Sequence, residues 1–130
     1  MANIAKTIAY VFGVVYALVG LVGFALTGFS GFTATEGPNL LFFQVNPLHN
    51  LIHLAIGVAL VAAAAASGTA LRAVTGAVAV VLALVGALGF FIINSPLNIL
   101  ALNAGDNLLH LATAGVLFVT MSQARRPATV

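Results

Sequence analysis

The sequence predicts an all-α fold: an integral membrane four-helix bundle built from two parallel two-helix repeats. Three observations predict it. Hydrophobic residues make up 62% of the 130-residue chain and charged residues 5%, against about 25% charged in soluble domains, and the mean hydropathy is +1.20. Apolar runs long enough to cross a hydrocarbon core of about 30 Å alternate with short polar breaks. The stretch 46–55, Asn-Pro-Leu-His-Asn-Leu-Ile-His-Leu-Ala, returns in altered form at 103–112 as Asn-Ala-Gly-Asp-Asn-Leu-Leu-His-Leu-Ala. Asn46 then pairs with Asn103, His49 with Asp106, Asn50 with Asn107 and His53 with His110. The whole chain reads as one membrane domain, with repeat one at about 4–67, repeat two at about 70–122 and a polar cytoplasmic tail at 123–130.

The first span covers about 8–28. Lys6 ahead of an apolar stretch resembles a signal peptide, but the run exceeds the usual apolar segment of about 7 to 15 residues and reads as a retained span. Gly13, Ala17, Gly20 and Gly23 form a small-residue stripe of the kind that lets helices approach closely in lipid. Residues 29–45 form the longest connection, and their apolar end, 40–43, suits a segment lying at the interface or folded back on the bundle. Asn46 as N-cap and Pro47 at the first helical position open the second span, which runs to about 67. A tight connection at 67–69 follows, and Arg72 opens the third span at 73–93. That span repeats the first: Ala17-Leu-Val-Gly20 and Gly23-Phe24 reappear as Ala83-Leu-Val-Gly86 and Gly89-Phe90. The segment 94–98 breaks the helix, and the fourth span covers about 104–121.

Lys6, Arg72, Arg125 and Arg126 share one side of this arrangement, while Glu36 and Asp106 fall on the other. The positive-inside rule then places both termini in the cytoplasm, as in a multi-pass protein of the bacterial cytoplasmic (inner) membrane. The motif stretches lie at the outer ends of spans two and four. Two spans per half give the halves the same orientation, related by an axis along the membrane normal.

Positions four apart share a helix face, so His49 pairs with His53 and Asp106 with His110. A twofold between spans two and four sets His53 by His110 and His49 by Asp106, flanked by Asn50 and Asn107. Three readings are open. In the first, Asn46 and Asn103 are caps, Asp106 completes a capping box, and the histidines and asparagines form an interhelical polar network. In the second, His49, His53, Asp106 and His110 hold a transition metal: zinc, iron or copper. In the third, His53 and His110 bind haem, with Gly57 and Ala114 leaving room for the macrocycle. Tyr16 could add a hydroxyl to a site, whereas Tyr10 reads as an interface anchor.

No Ser-His-Asp order, phosphate loop or pair of intramembrane carboxylates supports an enzyme or a proton pump. Four basic residues give no nucleic-acid footprint. The absence of cysteine removes disulfides and thiolate sites. The partners left are the lipid bilayer and either a homo-oligomer or a larger membrane complex, to which the chain would be a non-catalytic accessory or assembly subunit.

Through Asn46-Pro-Leu-His-Asn-Leu-Ile-His and Asp106-Asn-Leu-Leu-His, the chain resembles a family of small four-span bacterial membrane proteins of unassigned function. The resemblance implies the four-span fold and topology over nearly the whole chain. It implies no activity.

Overall fold

The computed structural model describes residues 2–66 and 68–124. Four helices, α1 (Ala2–Thr27), α2 (Pro47–Ala66), α3 (Gly68–Ile92) and α4 (Ala104–Ala124), carry the fold, with two short strands, β1 (Asn39–Leu40) and β2 (Phe43–Gln44), between the first two helices. α1 packs on α2, α3 on α4, α2 on α3 and α4 on α1, so the helices form a ring in chain order. One end of the bundle carries the strands, the 93–103 segment and the N-termini of α2 and α4. The opposite end carries the α2–α3 junction.

Segments 4–27, Pro47–Ala66 and Gly68–Ile92 are long and apolar enough to cross a membrane by length and composition, which marks a membrane protein. α4 is of similar length but carries Asp106, Asn107 and His110 in its first two turns, and its composition falls short of the same standard. Several boundaries differ from those the sequence suggests. α1 and α3 begin earlier, so Lys6 and Arg72 lie inside helices rather than ahead of them. α4 runs on through Ala124 into the stretch expected as tail, while Arg125, Arg126 and the rest of 125–130 lie outside the described residues, as does Ser67. Gly68 takes φ +58, the left-handed conformation that ends one helix before the next begins.

The α1–α2 contact is built on the small-residue stripe. A Cβ at Gly13 would meet the Gly57 carbonyl oxygen at 2.9 Å, one at Gly20 the Asn50 carbonyl oxygen at 2.7 Å, and one at Gly23 the Asn50 side-chain amide. In the α3–α4 contact, Gly86 stands the same way against the Asn107 carbonyl oxygen at 2.8 Å, and Gly89 against the Asn107 amide. The Asn50 and Asn107 side chains thus lie flat on glycine backbone. Their amide oxygens find no N–H or O–H donor.

The connection between α1 and α2 is a hairpin, which the sequence did not suggest. β1 and β2 pair antiparallel, Asn39 with Gln44 and Leu40 with Phe43. Leu41 turns the corner at φ +59, a conformation that glycine usually supplies. Leu41 and Phe42 stand exposed at the tip, while Val45, at the base, is fully buried. Below the polar end of the bundle, Tyr16, Leu60, Val78, Ala79, Leu82, Ala114 and Leu117 form the central apolar core. A smaller core of Ala5, Ala9, Ala63, Ala64 and Leu71 closes the opposite end. Phe29, Phe42 and Phe91 are strongly exposed, as expected of lipid-facing or interfacial rings, and Tyr10 is exposed on α1.

Candidate functional site

Both motif stretches begin with an asparagine cap. The Asn46 Oδ1 accepts from the His49 N–H at 2.8 Å, so the turn that presents His49 is fixed at its start. The Asn46 Nδ2 donates to the carbonyls of Ala34 (2.7 Å) and Ile99 (2.8 Å), tying both hairpin-end connections to α2. At α4 the cap is reciprocal. The Asp106 N–H donates to Asn103 Oδ1, and the Asn103 N–H donates to Asp106 Oδ2, both at 3.0 Å, which is a capping box. The same Oδ2 accepts from the Gln44 N–H at 3.3 Å, and Asn103 Nδ2 donates to the Phe42 carbonyl, so the hairpin rests on the start of α4. Asn98 closes the segment ahead of α4 through paired bonds with the Leu102 backbone.

Three histidines converge beneath these caps. His49, His53 and His110 are buried, at 1%, 4% and 2% exposure. The Nε2 atoms of His49 and His53 are 3.1 Å apart, and those of His53 and His110 are 3.3 Å apart. The rings meet edge to face, with centroids 4.3, 5.6 and 5.8 Å apart. His53 meets His110 as the sequence alignment predicts, but His49 turns to His53 rather than to Asp106. Asp106 lies outside the convergent set, because its carboxylate is engaged by the Asn103 and Gln44 N–H groups. Its other oxygen, Oδ1, is buried without a hydrogen-bond partner.

The three Nδ1 atoms are also buried and unpartnered. The two contacts engage the three Nε2 atoms, so hydrogen bonding among the rings leaves the other half of the six ring nitrogens unsatisfied, at odds with the rule that buried polar groups find partners. A metal ion would account for the convergence of the three Nε2 atoms but not for the unpartnered Nδ1 atoms. A tetrahedral ion with bonds of about 2.0 Å to imidazole nitrogen separates its ligand atoms by about 3.3 Å; two Nε2 separations lie at or just below this value, and the ligand nitrogens of all three histidines lie within 4.8 Å of one another. Ligation through Nε2 places the N–H on Nδ1. The carbonyls of Gln44 and Leu100 lie beside the His49 ring, short of hydrogen-bond geometry at Nδ1. The donor set fits zinc, iron or copper.

Haem does not fit. His53 and His110 touch through Nε2, leaving no gap for a macrocycle between them. The room expected at Gly57 is occupied by α1, where a Cβ would meet the Gly13 carbonyl oxygen at 2.6 Å, and Ala114 belongs to the apolar core. The cavities beside the histidines are of about 90 and 60 Å³, enough for about three and two waters at ~30 Å³ each.

These two cavities are lined by residues that correspond under the sequence alignment. One has Ile52, Ile56, Val81, Leu82, Val85 and His110 in its wall, and the other has Leu109, Thr113, Val15, Tyr16, Val19 and His53 at the aligned positions; the first is also lined by His49 and His53, so all three histidines border it. Tyr16 is 3% exposed, with its ring 5.0 Å from that of His53. Its hydroxyl stands beside Thr113 without closing a hydrogen bond of good geometry. Sequence reasoning passed over Thr113 altogether, although aligning Gly20 with Gly86 already sets Tyr16 against Leu82. A larger cleft of about 470 Å³ at the hairpin end includes Glu36, Gln44, Asn94, Asn98 and Asn103 in its lining.

No curated protein and no solved structure matches the chain. Residues 6–122 match the family described as domain of unknown function (DUF4383), and the chain belongs to that family.

Proposed function

We propose that this chain is a four-span protein of the bacterial cytoplasmic membrane that holds a transition-metal ion on His49, His53 and His110. The observation that carries the proposal is the convergence of three buried Nε2 atoms from two helices, with separations of 3.1 and 3.3 Å. Ionisable side chains within membrane helices are expensive and are kept for function. Three neutral nitrogen donors leave a fourth position for water or a small ligand, as in catalytic rather than purely structural zinc sites. Asp106 then closes, with Asn103, the capping box that fixes the start of α4 one turn before His110. Metal analysis of the purified protein tests this. About one equivalent is expected in the wild type and none in His53→Ala/His110→Ala, with binding lost on acidification because ligating imidazoles must be neutral. A metal-free wild type that cannot be loaded with zinc, iron or copper would leave the chain a structural subunit whose histidines only hydrogen-bond.

The four spans are two parallel repeats in this reading. The matching contacts of Gly20 and Gly23 with Asn50, and of Gly86 and Gly89 with Asn107, support it, as does the correspondence of the two side cavities. For orientation, Lys6 and Arg72 lie toward one end of the bundle and Glu36 at the other, which supports cytoplasmic termini. A cysteine introduced at Ser95 is expected to react with an impermeant thiol reagent added to whole cells, and cysteines at Thr69 and Thr129 are not. Reaction at Thr69 would reverse the orientation.

A further inference from the structure

The two small cavities beside the histidines differ in which of them they touch. His49, His53 and His110 all border the one on the α2–α3 side, whereas His53 is the histidine that borders its counterpart on the α1–α4 side. A void bordered by all three rings is where an ion held by three nitrogens can present its fourth position. The rest of that wall is aliphatic: Ile52, Ile56, Val81, Leu82, Val85 and Leu100. No polar surface faces the cavity. The wall runs from Leu82, 2% exposed, to Val81, 46% exposed, so the cavity reaches from the bundle interior to the flank of the α2–α3 seam.

We infer that the fourth position of the metal centre opens into this α2–α3 cavity and takes a small, neutral, apolar ligand, a diatomic gas of the class of carbon monoxide, nitric oxide and dioxygen. This rests on the metal reading above. At about 90 Å³ the cavity has the volume of about three waters, which admits a diatomic molecule and excludes a sugar, a quinone or a haem. Water itself is a poor occupant, because it needs about two to four polar partners, and cavities with apolar walls stay dry while binding apolar guests. An anion would give up its hydration with no donor in the wall to replace it. A neutral diatomic molecule has little hydration to lose and enters hydrocarbon readily. The flank at Val81 belongs to a seam between two helices apolar enough to cross a membrane, so the ligand is supplied from lipid.

The test uses the intact protein loaded with Cu(I), with carbon monoxide as the probe and its C–O stretching band as the readout. Wild-type protein is expected to bind copper and then carbon monoxide saturably. Ile56→Phe, which fills the cavity, should keep the copper stoichiometry and lose at least about tenfold in carbon monoxide affinity through overpacking. Val81→Phe, at the exposed end of the wall where the fold tolerates it, should weaken binding the same way by less. Val15→Phe, at the aligned position on the α1–α4 side and 48% exposed, should leave it unchanged. Copper bound normally with carbon monoxide affinity indifferent to Ile56→Phe and Val81→Phe, or sensitive to Val15→Phe instead, would overturn this inference and leave the metal centre standing. Absence of carbon monoxide binding in copper-loaded wild type would overturn it too, because the position would be closed. With iron taken up in place of copper, nitric oxide on Fe(II) and its electron paramagnetic resonance signal give the same comparison. Uptake of zinc alone would also sink it, since zinc holds no neutral diatomic gas. Failure of the wild type to take up any of the three metals would overturn the metal reading and this one together.

Discussion

Asn46→Ala is expected to lower the unfolding free energy in mixed micelles by about 3 kcal/mol, through three separate losses. The side chain caps α2 through the His49 N–H and donates to carbonyls from two connections far apart in sequence, Ala34 and Ile99. Removal of the cap costs about 1 kcal/mol. Each carbonyl left without its donor adds about another, at the low end of the range because both lie in partly exposed segments. Asn46→Asp keeps the cap but sets a buried carboxylate oxygen against the two carbonyls, so its loss should be at least about 2 kcal/mol, that of the two missing donors. A loss below about 1 kcal/mol in the alanine variant would mean that the connections are held by other contacts.

A second large effect is expected from one methyl group placed at two positions. At Gly57 a Cβ would lie 2.6 Å from the Gly13 carbonyl oxygen and 2.8 Å from the Ala17 Cα, so it meets backbone that cannot rotate away. Overpacking of this kind costs about 1 to 3 kcal/mol. The helix-propensity gain of glycine to alanine returns about 1 kcal/mol, leaving Gly57→Ala destabilised by up to about 2 kcal/mol. At Gly115 on α4 no atom lies within 4 Å of the added Cβ, so Gly115→Ala should gain up to about 1 kcal/mol. Opposite signs in the same unfolding assay are the expected result. Equal effects would show that α1 and α2 are not in backbone contact at Gly57.

Much of this was legible in the sequence because the polar residues are few and placed by rules of local geometry. Asn46-Pro47 and the Asn103/Asp106 spacing mark helix starts, and both form caps where expected. The spacing of His49 and His53 puts them on one face, and the fold brings His110 to them. Other features left no such trace. The hairpin turns on Leu41 and Phe42, without the glycine or asparagine that announces a two-residue turn. Asp106 has the reach of a metal ligand by spacing alone, and only the position of the Gln44 N–H, set by that hairpin, shows where its carboxylate is spent. Tyr16 lies in a run of apolar residues whose periodicity is that of packing. Its difference from the rest becomes visible only when its hydroxyl is found buried and unpaired.

The glycine contacts also carry a consequence for the order of assembly. Close backbone approach joins neighbours in sequence, α1 to α2 and α3 to α4, so each pair can zip as soon as its second helix has been synthesised. His49 and His53 are then in place while His110 is still to be synthesised. The three histidines come together only when the two halves dock, a step that also forms the hydrogen bonds of Gln44, Asn46 and Asn103 across the strand end of the bundle.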